Sequence, residues 1–98
     1  MLIAENPVHP GEVLREEFLM PHGITPNALA IALRVPATRI NDIVRERRGL
    51  SPDTALRLAR YFGTSAEFWM NLQKAWELST AARDHGRKIE AEVRPLVA

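Results

Sequence analysis

Residues 34–48 read RVPATRINDIVRERR. The side chains in this stretch are suited to reading nucleic acid. An asparagine amide can pair bidentately with adenine, threonine and alanine can meet a thymine methyl, and an arginine fork can grip guanine or a phosphate. Set at 100° per residue, Pro36, Ile40, Ile43 and Val44 share one side of a helix, with Thr38, Asn41, Asp42 and Arg45 opposite. One side is built for burial and the other for contact. Asp42 fits least well: it can accept from a cytosine amino group, or it can pair with Arg39 or Arg45.

The charge distribution points the same way. Net charge over 98 residues is only +1. Residues 1–33 nevertheless hold one basic and four acidic residues, and residues 34–60 hold seven basic and three acidic. The middle third is therefore at net +4 and can attract a polyanion, although a merely solvated charged face would carry the same charges.

These side chains need helices to hold them. Apolar spacings of three and four recur from Val13 to Ala82, and β-branched residues never alternate with polar ones over a strand length, which predicts an all-α chain. Pro10 suits a first turn, and Pro21 with Gly23 ends that segment, giving helix one over about 10–20. Thr25-Pro26 is a cap followed by a residue without an N–H to orphan, so helix two spans about 26–33. Pro36 opens a short third helix to about Val44, and RERRG is the loop that leaves it. Ser51-Pro52-Asp53 repeats the capping pattern, and Gly63 supplies a left-handed stop, giving helix four over about 52–62. Thr64 or Ser65 caps a fifth helix running to about Arg83. Beyond Gly86 the tail is charged and weakly patterned, with Ile89 and Val93 allowing one more short helix.

Two short helices joined by a tight turn, the second presenting small polar side chains, form a helix-turn-helix. Ala30 must be small where helix three crosses, while Val35, Ile40 and Ile43 fill the wedge between the helices. Over about Thr25–Arg48 the chain resembles the phage-repressor superfamily of Cro and lambda repressor. One position departs from that pattern: Arg34 stands where such turns usually carry glycine, which implies either left-handed strain of about 1 kcal/mol or a shifted turn.

A more specific resemblance extends over about residues 9–78. HPGEVLREEF, VPATRINDIVRERRGLSPDTALRLARYFGTSAEFWMNLQKAWEL and the total length are similar to the HigA family of toxin–antitoxin antitoxins. The resemblance implies a five-helix, phage-repressor-like domain that dimerises, binds double-stranded operator DNA, represses its own operon and neutralises a HigB-type mRNA-cleaving toxin. Carried over position by position, the reading helix is Pro36–Arg45. Ala37, Thr38, Asn41 and Asp42 then point at base edges, Arg39 and Arg45 flank them, and Thr25 and Asn27 begin helix two. Arg47 and Arg48 in the loop suit phosphates, because a cationic side chain there displaces counterions. An orphan helix-turn-helix regulator without a toxin would share this fold and this face.

On helix five, Phe68, Trp69, Leu72 and Trp76 form one stripe while Met70, Leu78 and Ala81 lie toward the other side. That is more apolar surface than one core needs, and the surplus is expected to be a dimer interface, with residues 65–98 serving dimerisation, although both tryptophans could instead merely cap the monomer's core. Glu12, Glu16 and Glu17 on helix one are either a solvated face or a docking surface for a basic toxin.

Other chemistries find little support. His9, His22 and His85 are scattered without zinc-site spacing, so no metal is expected. Ser51, Ser65 and Ser79 read as caps or helix surface rather than nucleophiles, so no enzyme is expected. The aromatic stripe lacks a phosphate-binding glycine motif, so no cofactor is expected. With no cysteine, no apolar run of spanning length and no leader pattern in Met1–Pro10, the expectation is one domain over 1–98 that resides in a reducing cytoplasm without touching a membrane.

Overall fold

The computed structural model describes residues 8–97. Within them lie five helical rods and no strand. The first rod, α1, is continuous but not uniform: α-helical turns at Pro10–Val13 and Met20–His22 flank a π-helical stretch, Leu14–Leu19. There the Met20 N–H donates to the Arg15 carbonyl, five residues back. Leu14 and Leu19, also five apart, are both buried as a result. Gly23, at φ 64°, ends the rod two residues later than periodicity predicted.

Then follow α2 (Pro26–Leu33), α3 (Ala37–Val44), α4 (Pro52–Phe62) and α5 (Ala66–Glu92). Their starts are set by side-chain caps. Thr25 accepts from the Ala28 N–H, Ser51 from Thr54 and Ser65 from Phe68, each satisfying a donor that a helix start leaves orphaned. Pro36, expected inside α3, is instead its extended N-cap residue, at φ −60° and ψ 142°.

The core is where α1 to α4 meet the first turns of α5. Leu14, Leu29, Ile40, Ile43, Leu58 and Trp69 are fully enclosed there. Glycine allows the closest approach: a Cβ on Gly11 would stand inside the van der Waals radius of the Ile43 carbonyl oxygen, so α1 lies directly on the backbone of α3.

Two sequence expectations fail on α5. It does not stop near Arg83 but runs unbroken through Gly86 to Glu92. A mid-helix glycine costs only about 1 kcal/mol, and no proline or left-handed residue intervenes. Ser79 is buried, not on the helix surface. The projecting rod makes the molecule elongated, 52 × 22 × 21 Å.

Candidate nucleic-acid interface

The candidate reading face is built on α3. Ile40 and Ile43 are sealed into the core, so the opposite side of this eight-residue helix is turned outward. Ala37 and Thr38 are exposed on it and Asn41 is half-buried. The Asn41 side-chain N–H groups donate to the Ala37 carbonyl and to Asn27 Oδ1, each at 2.9 Å. Asn27 at the start of α2 and Asn41 on α3 thus form one amide pair across the two helices. Both Asn41 donors are engaged, and pairing with adenine requires one of them to be released. Thr25 is exposed beside this pair while its hydroxyl oxygen caps α2.

The arginines fall into two groups. Arg39 donates to Asp53 at 2.8 Å, and Asp53 also takes Arg57 at 2.9 Å. Arg57 in turn reaches the Leu33 carbonyl at 2.8 Å, so α3, α4 and α2 are stapled together beside the reading face. The Arg57 hydrogen bond, and after it that of Arg39, holds the Asp53 carboxyl below its ordinary range. Arg39 is therefore tied back rather than extended. Arg45, Arg47 and Arg48 stand exposed on the loop that leaves α3.

Asp42 corrects an expectation. Its partner is neither Arg39 nor Arg45 but Arg48, at 3.4 Å. The loop folds back because Glu46 takes a left-handed conformation, φ 62°, and the Arg47 N–H returns to the Asp42 carbonyl at 2.8 Å. Arg34 resolves the other open geometry: at φ 62° and ψ 44° it occupies the left-handed conformation usually given to glycine, so the turn keeps its shape.

Sequence reasoning missed the residues that reach this face from afar. Arg15 on α1 donates to the Val44 carbonyl at the end of α3 and to Glu46 at 3.4 Å. Gln73 on α5 is buried and accepts the Leu50 N–H at 2.7 Å. Contacts across 29 and 23 residues leave no local spacing signal.

The expected dimer stripe is divided by the structure. Trp69 is fully buried, its ring 4.8 Å from Phe18 and its indole N–H donating to the Thr64 hydroxyl at 2.7 Å. It belongs to the monomer's own core and cannot face a second copy. Met70 and Leu72 are partly buried against the same core, and half-buried Trp76 meets His9 edge-on at 4.7 Å. Phe68, at 38% exposure, and Leu78, at 55%, remain available. An apolar surface not read from the sequence lies at a hollow lined by Ala32, Leu56, Arg60 and Tyr61, with Leu56 63% and Tyr61 46% exposed. Among the described residues no three His, Asp or Glu side chains converge as a metal site, and no helix is long and apolar enough to cross a membrane.

An outward polar face on the second of two crossed short helices defines a helix-turn-helix protein, and the helix-turn-helix family model matches residues 14–69. Two solved structures from Pseudomonas aeruginosa are similar along nearly the whole chain. One is PA4674 in complex with 18-bp operator DNA (58% identity, TM-score 0.93, covering 97% of this chain and 100% of that one). The other is antitoxin HigA with the higBA promoter (59% identity, TM-score 0.92, 94% and 100%). Antitoxin HigA-1 of Vibrio cholerae is 40% identical over 73 residues, 74% of this chain and 69% of that protein. The chain belongs to the helix-turn-helix family and, within it, to the HigA antitoxins. It is a binding protein and not an enzyme.

Proposed function

We propose that the 98 residues form one domain that pairs as a homodimer in the cytoplasm, represses its own operon and neutralises a HigB-type mRNA-cleaving toxin. The observation that carries the DNA part is the two-sidedness of α3. Ile40 and Ile43 are fully enclosed while Ala37 and Thr38 stand exposed beside Asn41, in a chain whose relatives were solved on operator and promoter DNA. Ala37, Thr38, Asn41 and Asp42 then meet base edges, with Arg39 and Arg45 flanking them, Thr25, Asn27 and Pro36 at the margin, and Arg47 and Arg48 toward phosphates.

The test is binding to a duplex taken from upstream of the chain's own gene. Asn41→Ala is expected to lose about 1–3 kcal/mol on that duplex and little on random DNA. Equal losses on both remove the base-reading role.

One reading helix covers too few base pairs to specify an operator, so two copies are required about 34 Å apart. Phe68 and Leu78 remain candidates for the contact, and Leu56 with Tyr61 offer a second apolar surface. Sedimentation of Leu78→Glu and Leu56→Glu variants assigns it: the variant that becomes a folded monomer marks the interface, and dimers from both exclude both surfaces. The toxin part rests on family membership. Co-purification with the product of a neighbouring reading frame supports it, and the absence of such a product favours an orphan regulator.

A further inference from the structure

We infer that Gln73 of α5 is a positioning residue for DNA binding: it holds the arginine-bearing loop at the exit of α3 where Arg47 and Arg48 meet phosphates. The inference rests on the DNA-binding reading above and adds to it a residue on a helix that presents no side chain to DNA in that reading.

The loop backbone lies directly on the Gln73 amide. A Cβ at Gly49 would come within 2.5 Å of Gln73 Nε2 and 2.7 Å of its Oε1, so any larger residue there would push the amide from its present place. One residue on, the Leu50 N–H is bound by Gln73 Oε1 at 2.7 Å. The other end of the amide is also committed, with Nε2 donating to Glu77 Oε1 at 2.8 Å. Gln73 is buried, so the amide has no freedom to turn away, and an unpaired Leu50 N–H would lose its acceptor inside the protein.

The geometry on the other side of the loop shows why a clamp is needed. Arg45 to Gly49 is irregular backbone containing left-handed Glu46, and its arginines are exposed. The Arg15 contacts with Val44 and Glu46 secure only its first half. Gln73 secures its end, immediately before Ser51 caps α4. With its end released, the loop is held only through Arg15 and the Asp42 contacts with the Arg47 N–H and the Arg48 side chain, and it would swing off the duplex so that phosphate contacts of Arg47 and Arg48 are lost.

Gln73→Met keeps the side chain's bulk and removes both hydrogen bonds. Gly49→Ala breaks the same contact from the loop side. Each variant is titrated with salt against the upstream duplex and a random duplex, at a temperature where circular dichroism shows it folded. The expected result is a log–log salt slope reduced by about one unit per lost phosphate contact, with the ratio of specific to random binding unchanged. The double variant should add little to either single one. Slopes equal to the parent's in both folded variants overturn the inference while leaving the DNA reading intact. A parent protein that binds neither duplex removes both.

Amide exchange on the unmodified protein is a second readout that needs no variant to fold. The Leu50 N–H should exchange as slowly as amides inside α3, and exchange at the rate of a free loop overturns the clamp.

Discussion

The α3 helix and the outer half of α5 are made of the same kind of backbone but held in opposite ways. At eight residues, α3 is too short to be stable alone, and its geometry is imposed by its surroundings: the sealed Ile40 and Ile43, the Gly11 backbone against Ile43, the Arg15 guanidinium on Val44 and the Arg39–Asp53 pair. From about Arg83 onward, α5 has almost no tertiary support. It is sustained by its length and by pairs such as Lys88–Glu92, exposed and worth only a few tenths of a kcal/mol. The difference teaches where the reading face is vulnerable. Its shape depends on contacts from α1 and α4, whereas the end of α5 packs on neither.

The largest expected effect tests the imposed side. Gly11→Ala forces α1 away from α3 and should destabilise by about 1–3 kcal/mol in urea unfolding, with operator binding reduced as well. A neutral result would mean that α3 tolerates displacement and the contrast with α5 is false. Arg34→Gly should act in the other direction. Relieving the left-handed arginine between α2 and α3 is expected to raise stability by about 1 kcal/mol, read as a higher denaturant midpoint at unchanged slope. Gly86→Ala places the same methyl group as Gly11→Ala in the other region. Its Cβ would meet nothing within 4 Å, so a gain of about 0.5–1 kcal/mol is expected, opposite in sign.

The smallest effect concerns pH. His9 is buried, and its Nδ1 accepts the Gly11 N–H at 2.9 Å, so the imidazole is held neutral at the start of α1. Burial lowers its pKa below 6.5, with Glu46 opposing and Arg15 adding to the shift. The unfolded ring takes up a proton first as pH falls, so this contribution is complete above about 6.5 and is lost as pH drops toward the folded value. His9→Asn retains an acceptor for Gly11 without a titrating group. A profile of melting temperature against pH should lose this step in the variant, while the loss at lower pH from Asp53 remains.

Much of this architecture is legible in the sequence because its punctuation is local. Thr25-Pro26, Ser51-Pro52 and Gly63 declare helix ends within four residues, and α2 begins, and α4 begins and ends, where those signals put them. The two-sidedness of α3 is equally local. What stayed hidden depends on partners distant in sequence. A stripe of Phe68, Trp69, Leu72 and Trp76 says that something covers it, but not that Phe18 and Phe62 take Trp69 into the monomer's core. Among arginines, helical spacing offers Asp42 only Arg39 and Arg45, because it cannot anticipate a left-handed Glu46 that brings Arg48 back. The end of α5 was misjudged because a missing stop signal is weaker information than a present one.

The π-helical stretch in α1 bears on how such chains vary in length. An expanded turn is a place where a helix carries one residue more than its neighbours require, and removing one residue between Leu14 and Leu19 would restore ordinary pairing without rotating the rod's two ends against each other. Gly11 docks one end on α3, and the Gly23 turn delivers the other to α2. Losing that one extra residue would therefore stay inside the first helix and leave the register of α3 against α1 as it is.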